Sequence, residues 1–469
     1  MKSTTAIADH VARVANTPLE PADAEALRRL FLDNFVVSLW GATQPWTQQI
    51  AAWTRRFAGS GQSPVLTGDW SADASVAALV HGTASHSYEL DDTHNATLSH
   101  PGAVIIPAAL ATGAATDASQ EELFRAVAAG YEAMALVGMT AGGLETVHRG
   151  FHPTSVFGTF GAAASCVALH AYRRGEPVTS DMLIAAWGHS LSQACGAMQF
   201  SAEPSGGEVK RVHAGFGARN GVLAAEFALM DAVTAPRLSI EGTYGLAALF
   251  GGDLRPATPS HRLQIHDISL KPYACCRLFH STIDALAELT NDFQLPVDSI
   301  REIVIRGPQL IADQHMLAHP SSTMAAQYSC PYIVGATLAY GPHRYDAYAD
   351  GFLDDSRIRA IAAKVRFEFS EELTAYYPTR FATGVSFRFG DDTTRSAVVI
   401  DSVGTPGKPL TIDQIIAKGK GLERSAAVME SKEPVGRRCA MQIWDDNRGA
   451  RALAQTLMDA WRSLGAEAS

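Results

Sequence analysis

Apolar residues recur at three- and four-residue steps through the first 233 residues, and alternation at two-residue steps begins only after about residue 262. The first period is that of a helix with one buried face, the second that of a half-exposed strand. Ala6, Val11, Val14 and Ala15 form one helical stripe; Ala26, Leu27, Leu30, Phe31, Phe35 and Val36 form another, so residues 1–59 are expected to be helical. Residues 60–73 are rich in Gly and Ser and read as a loop, with Ser71 or Asp73 as cap for a helix over Ala74–Ala84. Pro101 stops one element, and Pro107 is placed near the start of the next apolar helix. Ser119 and Glu122 have capping-box spacing ahead of Leu123–Met139, and Thr179 or Ser180 can cap Ser180–Gly196. Segments 154–174 and Val212–Val233 are helical and rich in small residues, which predicts close helix contacts in a compact bundle.

Beyond residue 262, Ser299–Arg306, Lys364–Phe369, Gly384–Phe389 and Arg395–Ile400 read as strands, the last two joined by the hairpin turn Gly390-Asp391-Asp392-Thr393. Helical patterns at Leu278–Asn291, Met324–Ala339 and Ser356–Ala363 lie among them, and the tail returns to helix at Ile412–Lys418 and Gly449–Leu464. The expected architecture is therefore mainly α. A large all-helical domain, 1–262 and 405–469, is discontinuous in sequence, and a smaller α+β domain, 263–404, is inserted into it.

The formal charge of -10 and the lack of any Lys/Arg block argue against a nucleic-acid or membrane-surface partner. An anionic ligand would need a local cationic pocket working against the net field. The six cysteines are scattered without a C-x-x-C pair, and buried reduced thiols are the simplest reading. The N-terminal residues lack the apolar core of a signal peptide, and apolar runs such as Val104–Ala115 are short or broken by Pro or Gly. A soluble, cytoplasmic protein is expected.

Candidate chemistry concentrates between residues 86 and 100, where Glu89, Asp91 and Asp92 meet His86, His94 and His100, with Thr93 among them. Buried charge is costly unless paired, so such a cluster between apolar helices is a site candidate. The plainer reading is a solvated loop with Asp91 or Asp92 capping a helix. His152 precedes Pro153 at a helix start, where Thr154 is available as a cap; Gly158 and Gly161, a turn apart, suit close helix packing. Lys210 and Arg211 enter a helix at its positive end, an arrangement that opposes the dipole and suits an anion, although most such pairs are merely solvated. Lys271 precedes Pro272 at the junction of the two textures, with Arg277 and His280 following.

The segment at 215–221, GFGARNG, has the wrong spacing and context for a dinucleotide fingerprint. Phosphate-loop, H-E-x-x-H, EF-hand and G-x-S-x-G patterns are missing, so no cofactor and no metal are expected.

Glu89–Pro107, His152–Ala164, Lys210–Ala225 and Lys271–His280, followed by Gln327–Tyr332 and Gly404–Lys418, resemble in that order the motifs of the MmgE/PrpD family. That family includes 2-methylcitrate dehydratases, cis-aconitate decarboxylases and iminodisuccinate epimerases. The resemblance implies a discontinuous helical domain with a smaller α+β lid, a site needing neither metal nor nucleotide, and a homodimer built through the helical domain. The family's acidic position falls on Glu89, where many members have Asp, and its D-D-T turn falls on Asp91, Asp92 and Thr93. Its histidines fall on His100 and His152, its lysines on Lys210 and Lys271, and its late tyrosine on Tyr332. The resemblance thus implies proton transfer by His100 or His152 with the Glu89, Asp91, Asp92 and Thr93 cluster. Lys210, Lys271, Arg277 and Tyr332 would bind a small di- or tricarboxylate. Dehydration of a 2-methylcitrate-like hydroxy acid ranks first, epimerisation of an iminodisuccinate-like dicarboxylate second and cis-aconitate-type decarboxylation third. A carboxylate-binding protein without turnover is the reading from a different class.

Overall fold

The computed structural model describes residues 3–203, 206–425 and 433–464. It is mainly α, with few and small sheets. The chain divides into two compact units, one of 1–198, 209–268 and 412–469, the other of 199–208 and 269–411.

The larger unit begins with α1 (Ser3–Asn16), α2 (Pro21–Ala42), α3 (Pro45–Arg55) and α4 (Ala74–Ser85). It continues through α5 (Gly102–Thr116), α6 (Gln120–Ala141), α7 (Gly143–His148), α8 (Pro153–Arg173), α9 (Ser180–Gln193) and α10 (Val209–Phe227). In α1 the buried face is Ile7, Ala8, Val11, Ala12 and Ala15, so Ala6 and Val14 sit on its edge. Leu27, Phe31 and Phe35 of α2 are fully buried, and each such side chain contributes about 1.5–3 kcal/mol. The capping box at Ser119 forms as its spacing predicts, and Thr179 caps α9. Asp73 takes the cap position of α4 without a side-chain bond.

Three local expectations are corrected. Pro107 lies inside α5, which starts at Gly102 immediately after Pro101. Two-residue strands, Ser63–Pro64 and Ser71–Ala72, pair antiparallel within the expected loop. Helix α10 ends at Phe227, short of Val233, because Leu229, Met230 and Val233 are exposed and give it no face to bury. Helix α8, at 21 residues, has the length and hydropathy of a membrane span, but 94% of that window is buried inside the protein, as a core helix requires.

Small residues set the helix spacing. A Cβ on Gly161 would stand 2.8 Å from Met134 Cβ and 2.9 Å from the Gly130 carbonyl, so α8 and α6 meet backbone to backbone. A Cβ on Gly221 would lie 2.3 Å from Ala162 Cβ; the glycines of 215–221 thus serve helix contacts in the middle of α10.

The smaller unit holds α11 (His280–Thr290), α12 (Thr323–Tyr328), α13 (Cys330–Tyr340) and α14 (Ser356–Ala362). Its sheet has β1 (Ile300–Gly307), β2 (Val365–Phe369), β3 (Thr383–Phe389) and β4 (Thr394–Val399) in the order β2-β1-β3-β4. β1 pairs parallel with β2 and antiparallel with β3, and β3–β4 is the expected hairpin. The helix expected over Met324–Ala339 is broken at Ser329, whose side chain caps α13 ahead of Pro331.

The tail rejoins the larger unit through α15 (Ile412–Ser425), α16 (Val435–Ile443) and α17 (Ala450–Ser463). Helix α16 was not anticipated. Of the six cysteines, all unbridged, Cys195 is exposed and Cys276 half-buried, contrary to the expectation of uniformly buried thiols.

Candidate active site

Two glycines bring the chemistry together. A Cβ on Gly82 of α4 would lie 2.8 Å from Gly215 Cα of α10, and one on Gly215 would lie 2.4 Å from the Leu79 carbonyl. Only glycine allows that approach. It places the C-terminal end of α4, where His86 follows as cap, against the first turns of α10, which carry Lys210, Arg211 and His213.

The chain then turns sharply. Glu89 has φ 55°, a left-handed conformation that costs a non-glycine residue about 1–2 kcal/mol. The turn aims its buried carboxylate at α10, where Oε1 accepts bonds from Lys210 Nζ and from Arg211 Nη1, the latter at 2.7 Å. Lys210 and Arg211 are therefore not a solvated pair: both are buried, and their charge is partly balanced by Glu89. Both cations stand in the first turn of α10, where the helix dipole adds positive potential.

Asp91 and Asp92 have separate occupations. Asp91 Oδ2 accepts a bond from His86 Nδ1 at 2.5 Å and lies 3.5 Å from His100 Nδ1. Asp92 has both oxygens engaged: Oδ1 accepts from Gly102 N–H at 2.8 Å, the first residue of α5, and Oδ2 accepts from the Tyr131 hydroxyl at 2.8 Å. It anchors the start of α5, but these acids are buried and the loop is not the solvated one of the plainer reading. Burial pushes its carboxyl up to about 7, opposed by those two bonds, and drives the Tyr131 hydroxyl well above its ordinary value.

His100 donates from Nδ1 to the Asp92 carbonyl at 2.7 Å, with Thr93 Oγ1 at 3.3 Å. A carbonyl can only accept, so the proton of the neutral ring resides on Nδ1 and Nε2 carries the lone pair. Its backbone N–H donates to Thr154 Oγ1 at 3.1 Å, so Thr154 ties this loop to α8 and does not cap its own helix. His94 is different: Nδ1 meets Thr97 Oγ1 at 2.8 Å and Nε2 meets Gln264 Oε1 at 3.2 Å.

His152, at the cap of α8, sits beside His213 with Nδ1 to Nδ1 at 3.1 Å. Ring centroids lie 5.5 Å apart for His86–His152, 5.2 Å for His86–His100 and 6.3 Å for His100–His152. Four imidazoles thus form one buried group. Burial first, then neighbouring imidazoles and Lys210, hold His152 well below the ordinary histidine value and bring His213 to about 4. His86 is also lowered by burial, against the pull of Asp91. Burial thus favours the neutral form of His86, His152 and His213, the form in which an imidazole can accept or relay a proton.

Sequence reasoning singled out Glu89, Asp91, Asp92, Thr93, His100, His152 and Lys210, and the larger unit brings all seven into this neighbourhood. It underrated His86, which was counted only as one of several imidazoles, and missed His213. The available signal was the three-residue step from Lys210 to His213, which puts both on one helix face.

In the smaller unit Lys271 lies in a stretch braced by two later motifs. Gln327 Nε2 donates to the Ala274 carbonyl at 2.9 Å, and Leu270 N–H donates to the carbonyl of Gly404 at 2.8 Å. This explains why the Gln327 and Gly404 motifs accompany the lysine motif. Arg277 is buried and donates from Nη1 to Ser402 Oγ at 2.7 Å; burial lowers its guanidinium to about 10. The Tyr332 hydroxyl lies 2.9 Å from the carbonyls of both Ala347 and Phe352, so it serves the packing of its own unit. Among the described residues no group of three or more His, Cys, Asp or Glu is arranged to hold a metal ion.

The chain matches two family models: MmgE/PrpD N-terminal domain over residues 5–258 and MmgE/PrpD C-terminal domain over residues 273–434. It is 27% identical over 445 residues to the cis-aconitate decarboxylase-like protein oryM of Aspergillus oryzae, covering 87% of this chain and 89% of that one. It is 25% identical over 433 residues to the cis-aconitate decarboxylase of Aspergillus terreus, covering 86% of each. The human cis-aconitate decarboxylase is 26% identical over 359 residues, 73% of this chain and 71% of that one. With both domain models matched along its length, the chain belongs to the MmgE/PrpD family, a family of enzymes.

Proposed function

We propose that this protein is a lyase acting on a small di- or tricarboxylate by moving a proton at a carbon next to a carboxylate. The observation that carries this reading is the fixed tautomer of His100. Its Nδ1–H is committed to the Asp92 carbonyl at 2.7 Å, so Nε2 is the basic nitrogen. A buried imidazole whose neutral form has an oriented lone pair, in the same unit as the buried cations Lys210 and Arg211, suits removal of a proton from an anionic substrate. Negative charge builds on a group that is already anionic, and the cations offset it.

In this reading His100 takes the proton. The Asp91–His86 dyad holds its neighbouring ring in one tautomer, and Lys210 binds a substrate carboxylate in place of part of its contact with Glu89. Lys271 and Arg277 join as carboxylate-binding residues on the motif resemblance alone. Dehydration of a 2-methylcitrate-like hydroxy acid is the first assignment; it needs an acid for the departing hydroxyl, a role open to His152. Decarboxylation of a cis-aconitate-like acid is the second reading, favoured by the names of the relatives. There the C–C bond breaks, CO₂ leaves, and a proton is returned to carbon.

Proton NMR in deuterated water with methylcitrate, citrate, cis-aconitate and iminodisuccinate separates these readings. Loss of water supports the first, release of CO₂ the second, and deuterium exchange without change of constitution an epimerase. Binding of the acids with no chemistry would overturn the enzymatic reading.

A homodimer through the larger unit belongs to the same proposal. Leu229, Met230, Val233 and Tyr244 are exposed within a short span, Tyr244 at 79%, and a covered apolar face would explain them. Light scattering should give twice the mass of the 50.0 kDa chain.

A further inference from the structure

The His152–His213 contact has a consequence for how protons are arranged in the site. Two ring nitrogens 3.1 Å apart can share one proton and no more. If both carried Nδ1–H the two donors would oppose each other, and if neither did the two lone pairs would. The rings must therefore be opposite tautomers, and the pair can carry at most one positive charge. Both rings are buried, His152 at 4% exposure and His213 at 3%, so water cannot readily relieve a mismatch.

We infer that His213 is a positioning residue that donates its Nδ1–H to His152 Nδ1 and so presents His152 as the Nε2–H tautomer. This rests on the proposed proton-transfer reading and deepens it. His100 has the opposite arrangement: its bond to the Asp92 carbonyl puts the proton of the neutral ring on Nδ1 and leaves Nε2 unprotonated. The site then holds one imidazole that accepts a proton and one that offers a hydrogen bond where negative charge grows. That division suits a carbanion-like state flanked by carboxylates, which needs both a base and a donor aimed at the developing charge. His213 lies one turn after Lys210 on α10, so the helix that supplies the carboxylate-binding cation also sets the tautomer of His152.

The test is ¹⁵N NMR of the full-length wild-type protein with labelled histidine, without substrate, the two rings being assigned with His152→Gln and His213→Asn. The expected result is an Nε2–H tautomer for His152 and an Nδ1–H tautomer for His213. An Nδ1–H tautomer for His152, or the same tautomer for both rings, overturns the inference. Kinetics on whichever acid of the panel turns over supply the second readout. His213→Leu is expected to lower kcat about 10- to 100-fold with KM nearly unchanged. His213→Asn, whose amide can donate in the same place, should recover most of that loss. Equal losses in the two variants would also overturn it. If His213→Leu does not fold, the wild-type spectrum and His213→Asn still decide. If no acid turns over, the proposed reaction fails while the spectrum still reports on the tautomers.

Discussion

The acids and imidazoles from His86 to His100 fall into two halves that look alike in sequence and differ in structure. Asp92 and His94 have every polar atom of their side chains engaged, by Gly102 and Tyr131 in one case and by Thr97 and Gln264 in the other. Asp91 and His86 are bonded to each other, and His86 Nε2 is buried with no hydrogen-bond partner among the described residues. A buried polar atom costs about 1–3 kcal/mol when unsatisfied, so the fold tolerates in one half what it avoids in the other. Residues with all bonds made hold the loop; a residue that leaves a bond unmade has one available for chemistry.

The largest effect tests the cationic side of the site. Lys210→Met removes one partner of a buried ion pair, a change that costs roughly 3 kcal/mol or more. It should lower the melting temperature by several degrees and kcat by about 10²–10³-fold. A variant with wild-type turnover would remove Lys210 from the proposal.

The sharpest contrast is between adjacent carboxylates. Asp91→Asn should lower kcat by about 10²-fold or more, because the His86 tautomer is no longer fixed by a charged acceptor. Asp92→Asn keeps the acceptor for Gly102 and should change kcat less than about threefold, with a stability change of about 1 kcal/mol. Steady-state kinetics on the two variants would break the comparison if their effects were reversed.

A smaller effect lies in the pH dependence of stability. His81, His94 and His213 are brought by burial to about 4 in the fold. Their contribution is present in full above about pH 6.5 and is lost as pH falls towards 4, because the unfolded chain then binds protons that the fold refuses. Asp92, raised to about 7, acts oppositely, its contribution being lost as pH rises from about 4 to 7. Three histidines outweigh one carboxyl, so melting temperature should fall between pH 6.5 and 4. The fall should be steeper in Asp92→Asn, and calorimetry across that range checks both.

Much of this was legible in the sequence. The period of the apolar positions gave the helical first half, and the alternation after residue 262 gave four strands within two residues of their observed ends. The capping box at Ser119 declared itself, because such a signal is local. What was not legible depended on distant partners. Asp92 and Asp91 are indistinguishable until Tyr131 and Gly102 are seen to take one of them. His213 reads as an ordinary residue of a small-residue helix until Gly82 and Gly215 bring that helix against the end of α4. The helix over Val435–Ile443 follows residues 426–432, outside the described residues, and its short apolar stripe gave no separate warning.

Lys418, on the tail helix α15, is buried and donates from Nζ to Asp33 Oδ1 at 2.8 Å and to the Leu90 carbonyl at 2.9 Å. Leu90 stands between Glu89 and Asp91, so a lysine 328 residues further along the chain pins the turn that aims both carboxylates. A contact of that sequence separation closes a long loop, whose entropic cost is met before the contact stabilises anything. Docking of α15 is thus expected among the later events of folding, and a chain that has formed its local helices but not this contact lacks the clamp on the turn.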